Sequence, residues 1–217
     1  MTEKKQRSDR LRTRKLLLDV MGRMLEEKGL DFSLPDLARE SGVATATVYR
    51  HFTDLSDLRE EFYHHYIGTL IDDLQLLATH YRGRRLVHEI CSVWVASAMR
   101  WARAATFIRS PEGFIERLQM GDPFIDRLYH RVLVPAIEDL IVEEAIPSQD
   151  PRYAALIWIT LFDERVIVDL TVALGWTTQF AADRLESSVL GALQSIPPEP
   201  SRLPHKPSEA RHRAVGT

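Results

Sequence analysis

The residues of this 217-residue chain best suited to chemistry at a macromolecular surface lie between Thr45 and His51. Read as a short helix with Val48 turned inward, the segment presents Thr45, Ala46, Thr47, Tyr49, Arg50 and His51 outward. Small residues at a helix start let its backbone approach base edges, threonine hydroxyls and methyls can read bases, and an arginine reaches a guanine or a phosphate. Tyr49 and His51 suit phosphate oxygens, and Ser33, at the start of the preceding helix, joins the set. That short helix carries one permanent cation. Most counterion release must therefore come from the first fifteen residues, where Lys4, Lys5, Arg7, Arg10, Arg12, Arg14 and Lys15 oppose only Glu3 and Asp9. A net charge of -3 excludes a generally basic nucleic-acid binder, so the basic arm matters more than the sum, and affinity is expected to fall steeply with salt.

Other chemistry is sparse. Glu61-x-x-His64 has the spacing of a di-iron ligand pair, but bundle di-iron sites need a second such motif and two further carboxylate helices, and no second copy occurs. The lone copy reads as a solvated turn. There is no Gly-rich phosphate loop, no Gly-x-Ser-x-Gly elbow and no Cys/His set for zinc, so neither catalysis, a cofactor nor a metal is expected. The single cysteine, Cys91, sits in the apolar run Ile90-Cys91-Ser92-Val93-Trp94 and reads as a buried inert thiol.

The elements that must position these residues are all helical: no period-two alternation persists, whereas helical spacing recurs almost throughout. The spacing predicts helices over about 9–28, 33–42, 45–51, 55–81, 84–105, 111–120, 123–144, 151–174 and 178–195, with Pro135 kinking or splitting the seventh. Residues 1–53 then form a three-helix domain with a basic arm, 54–196 a larger helical domain, and 197–217, with five prolines and few apolar residues, a disordered tail. No apolar run reaches the roughly 20 residues of a membrane span, and Asp19 and Arg23 interrupt the N-terminal apolar run too early for a signal peptide; a cytoplasmic location is expected.

Two short helices separated at Ser41-Gly42-Val43 make a helix-turn-helix, with Leu37, Ala38, Val43, Val48 and Phe52 at the positions that fix the angle between its helices. The order Leu37-Ala38, Ser41-Gly42-Val43, Thr47-Val48-Tyr49-Arg50-His51-Phe52, then an acidic and apolar helix start, resembles the TetR family of transcriptional regulators over about residues 10–62. The resemblance implies a homodimer whose recognition helices enter successive major grooves of a palindromic double-stranded operator, and a C-terminal domain that binds a small-molecule effector. Three positions depart from it. Ala44 stands where a serine is common, Leu55 where a lysine is common, and Leu34-Pro35 where the second helix is usually entered through threonine.

Aromatic residues concentrate between the fifth and eighth helices: Trp94, Trp101, Phe107, Phe114, Phe124, Tyr129, Trp158 and Phe162. As a group they can wall an apolar cavity, with Arg109, His130, Asp163 or Glu164 as a polar anchor, although each ring alone also fits plain core packing. Val166 and Leu170 of the eighth helix, with the stripe Leu185, Val189, Leu193 and Ile196 of the last, suit a four-helix dimer interface; the alternative is that both helices serve the protomer core. Asp163-Glu164-Arg165, inside an apolar helix, must pair across a dimer, face solvent or line the pocket. A protein-docking helix-turn-helix is the rival to a DNA-binding one, and predicts binding insensitive to salt and to DNA sequence.

Overall fold

The computed structural model describes residues 2–106 and 112–195, and among these every regular element is a helix. The first, α1, spans Thr2–Lys28 and ends where Gly29 adopts the left-handed conformation at φ +62°. It begins earlier than the spacing suggests, because the Lys, Arg, Glu and Gln residues of the expected arm are themselves good helix formers with no breaker among them. The basic arm is thus the first turns of α1. Next come α2 (Leu34–Ser41), α3 (Thr45–His51), α4 (Leu55–His80), α5 (Gly83–Thr106) and α6 (Phe114–Gln119).

Helix α7 (Pro123–Leu128) runs through a π-turn at Tyr129–Leu133 into α8 (Val134–Val142). The chain stays helical through Pro135, the second residue of α8, directly after a π-turn of the kind that accommodates a proline's missing amide. The expected 151–174 helix does divide, into α9 (Pro151–Leu161) and α10 (Glu164–Val168), the latter extended by a π-turn at Asp169–Ala173. Asp163 causes the division. Its side chain accepts the Arg165 N–H at 2.9 Å as an N-cap and also pairs with the Arg165 guanidinium at 3.1 Å, so the charged triplet is a helix start. The last helix, α11, spans Thr178–Gln194.

Buried apolar side chains fall into two clusters. One joins α1, α2, α3 and the first turns of α4, from Leu17 to Phe62. The other joins the rest of α4 to α5 and the helices that follow. Leu58 and Phe62 belong to the first cluster, so the core changes hands inside α4 rather than at the 53/54 junction expected from sequence. Cys91 is fully buried, and burial pushes its thiol well above the ordinary range, which fits an inert core residue. No described helix is long and apolar enough to cross a membrane. The expected tail, Ile196, Phe107 and Arg109 lie outside the described residues, as does the side chain of Trp101.

Candidate nucleic-acid interface and cavity

The helix-turn-helix is locked by its apolar set: Leu37, Ala38, Val48 and Phe52 are buried, and Val43 packs partly against them. Gly42 holds φ +68°, and its N–H caps α2 by donating to the Ala38 and Arg39 carbonyls. A left-handed residue there reverses the chain in three positions, and glycine adopts it without the Cβ penalty. Ser33 is exposed but occupied in a capping box: its hydroxyl donates to Asp36 Oδ2 at 2.5 Å and accepts the Asp36 N–H at 3.3 Å. In this arrangement the Ser33 side chain orders the start of α2. The Ser33 hydroxyl and the Ser33 backbone N–H, both donating to the Asp36 carboxylate, together with Arg39 lower its pKa to about 2.

On α3, Thr45, Ala46, Tyr49 and Arg50 are exposed, Thr47 and His51 half-buried. Arg50 donates to the Thr47 hydroxyl at 2.6 Å, which holds the guanidinium along the outward face. Ala44, the N-cap of α3, supplies no side-chain hydrogen bond, and Leu55 packs against the first cluster as an apolar residue. Burial and then the charges of Arg10, Arg14 and Arg50 keep the His51 imidazole below its usual pKa, which favours the neutral ring.

Arg14 is tied inward. Its Nε donates to Glu61 at 2.9 Å and its guanidinium lies 5.1 Å from the Phe52 ring centre, so α1 is clamped to α3 and α4. The cations left on the surface of α1, among its described side chains, include Arg7, Arg10 and Lys15. Glu61 and His64 are not a solvated turn: Glu61 holds Arg14, and the His64 ring stacks on Phe124 at 5.0 Å.

A cavity of about 170 Å³ opens between α4, α5, α6, α7 and α9. Of the expected aromatic wall, Trp94 and Phe114 line it. Phe162 packs behind Trp94 at 5.5 Å and Tyr129 behind Phe114 at 6.0 Å. Trp158 is fully buried in the core, and Phe124 is engaged by His64. Among the expected anchors Glu164 lines the cavity, whereas His130 is exposed beside Asp126 and Asp163 caps α10.

Sequence reasoning missed the α4 wall. Tyr63, Tyr66, Ile67, Leu70 and Ile71 recur at helical spacing on one face, a signal that was present in the chain. It also missed the polar end. Arg117 donates to the Tyr63 hydroxyl at 2.5 Å and to Asp122 Oδ2 through Nε at 3.0 Å and Nη2 at 2.7 Å. Burial opposes ionisation of Asp122, but the Arg117 bond and the Ile125 and Phe124 amides outweigh it and hold the carboxyl below its usual range. The Tyr63 phenol is pushed up by burial and stays a neutral donor. An apolar chamber whose polar lining comprises Tyr63, Arg117, Glu112 and Glu164 suits an amphiphilic molecule.

The last helix corrects the expected interface. Leu185, Val189 and Leu193 are buried in the protomer core, where α11 packs on α5 and α9. Val166 and Leu170 are half-buried and pack against the same core. The stripe faces inward because α5 and α9 present their own buried apolar side chains to it. The outward face instead carries Ser187, Ser188, Gly191 and Ala192, with Val172, Leu174 and Phe180 exposed nearby.

Residues 17–62 match the model of bacterial regulatory proteins of the tetR family, covering the helix-turn-helix from the body of α1 into α4. A comparison with curated proteins gives no match. Among solved structures, the fatty acid degradation regulator FadR from Bacillus halodurans is 15% identical with a TM-score of 0.64, over 83% of this chain and 96% of that one. FadR from Bacillus subtilis, in complex with stearoyl-CoA, is 17% identical with a TM-score of 0.62, over 83% and 97%. SmeT, in complex with triclosan, is 18% identical with a TM-score of 0.59, over 88% and 99%. At these identities the likeness is one of fold.

Proposed function

We propose that this chain is a ligand-responsive repressor acting as a homodimer on a palindromic operator, a reading supported by the match of residues 17–62 to bacterial regulatory proteins of the tetR family. The observation that carries the reading is the α3 face: Thr45, Ala46, Tyr49 and Arg50 stand exposed on a short helix whose opposite side is fixed by Val48 and Phe52. Thr47 and His51 flank them. Residues 1–53, with the first turns of α4, form the DNA-binding unit, and the remainder binds effector and dimerises through the outward face of α11 and the exposed residues near Leu174.

The effector we infer is a small apolar or aromatic molecule with a polar end. Its body fills the chamber lined by Trp94, Phe114, Leu70 and Ile125, and its polar end meets Tyr63 and Arg117. The ligands carried by two proteins of the same fold, stearoyl-CoA and triclosan, are compatible with a largely apolar site. Release follows from the position of Tyr63. It lies on the helix that begins four residues after α3, and Leu58 and Phe62 of that helix are embedded in the DNA-binding core. An occupant that moves Tyr63 moves α4 and α3 with it, and the two recognition helices of the dimer then no longer match one turn of DNA, about 34–36 Å.

The test is selection of bound fragments from genomic DNA by the purified protein beside Tyr49→Ala and Arg50→Ala. A palindrome recovered by the parent and lost by both variants is expected. Recovery of nothing specific would favour a helix-turn-helix that docks a protein.

A further inference from the structure

We infer that His88, Asp183 and Glu186 form a site for a first-row divalent cation such as zinc, bridging α5 and α11. The three offer one imidazole nitrogen and two carboxylate oxygens that all lie within 4.8 Å of one another. Ligand atoms around a tetrahedral zinc at about 2.0–2.2 Å stand about 3.4 Å apart, so small side-chain rotations complete the set. His88 Nδ1 and Glu186 are already 2.8 Å apart across 98 residues of sequence, which is why no motif announces the site. An imidazole with two carboxylates suits zinc and its neighbours rather than magnesium or calcium, which prefer oxygen alone.

The surroundings fit a bound ion. Gln179 donates to Asp183 Oδ1 at 2.8 Å, orienting that carboxylate and leaving Oδ2 for a metal. Glu186 is largely shielded, with its side chain 19% exposed, while His88 is half-buried and Asp183 exposed, so an ion has both a firm base and a path from solvent. The proton that now joins the imidazole to Glu186 is what the ion replaces. Cys91, one turn along α5, is fully buried in the core, and the three ligands leave a fourth position for water. A bound ion pins α11, the outer helix of the proposed dimer face, to α5, which carries Trp94 of the cavity wall. Metal therefore stiffens the frame on which the effector acts.

The experiment is zinc titration of the untagged full chain by calorimetry, beside His88→Gln, Asp183→Asn and the control Asp126→Asn/His130→Gln, an exposed pair elsewhere. Folding of each is checked by circular dichroism. Expected is one zinc per protomer with a Kd of about 10 µM or tighter, unchanged in the control and weakened about tenfold or more in each site variant. Absence of binding below about 1 mM, or equal affinity in the parent and both site variants, would overturn the site.

Discussion

Replacing Asp122 with alanine should destabilise the protein by about 2–4 kcal/mol, and the figure can be built from two parts. The first is the cap: Asp122 Oδ1 accepts the N–H groups of Phe124 at 2.9 Å and Ile125 at 3.1 Å, and loss of such a cap costs about 1 kcal/mol. The second is Arg117, whose side chain is only 13% exposed and which directs Nε and Nη2 at Asp122 Oδ2; stranding a charged group this shielded costs about 1–3 kcal/mol. Asp122→Asn keeps the cap and loses the charge, so its cost is the second part alone. Urea unfolding at neutral pH reads both variants as a lowered midpoint at constant slope. A double-mutant cycle with Arg117→Met isolates the pair. An alanine variant within about 0.5 kcal/mol of the parent, or additive effects in the cycle, would refute the reasoning. The pH dependence follows the sign of the shift. The folded carboxyl titrates below its unfolded value of about 3.9, so its contribution is complete above that value and is lost as pH falls through the folded one.

Ser33→Ala removes one half of the capping box and should cost about 1 kcal/mol in urea unfolding. The Asp36 contribution, with its carboxyl lowered to about 2, should be present above pH about 4 and disappear as pH falls toward 2, so Asp36→Asn flattens the acid limb of the stability curve. Gly42→Ala meets no steric clash, yet should destabilise by about 1–2 kcal/mol because φ +68° is left-handed; no change in the urea midpoint would remove the backbone argument. Ser188→Arg, on the outward face of α11, should shift the protein from dimer to monomer by size-exclusion chromatography with its helix content intact, and an unchanged elution volume would move the proposed interface elsewhere.

The N-terminal third was legible because its signals are local. Gly42, the Ser33 cap and the buried positions from Leu37 to Phe52 lie within one short stretch, and turn chemistry plus 3.6-residue periodicity specifies their arrangement. Element order farther along was legible for the same reason, although the caps of α9 by Asp150 and of α11 by Thr177 were read only from the structure. What escaped were properties of packing between distant segments. The stripe Leu185, Val189 and Leu193 has the same period whether it meets another subunit or its own α5, and only the fold reveals the latter. Arg117 meets Tyr63 across 54 residues, and His88 meets Glu186 across 98, so neither leaves a spacing to read. The break at Asp163 was hidden because its cap bond competes with an apolar run that favours a continuous helix.

The most direct measurement of the central claim is the affinity of the recovered operator duplex and of a scrambled duplex, by fluorescence anisotropy across a salt series, for the parent and Arg50→Ala. The account predicts affinity that falls steeply with salt. It also predicts that Arg50→Ala weakens operator binding by about 1–3 kcal/mol while leaving scrambled binding nearly unchanged. Affinity that is flat with salt, or an Arg50→Ala protein that still prefers the operator as strongly as the parent, would contradict it.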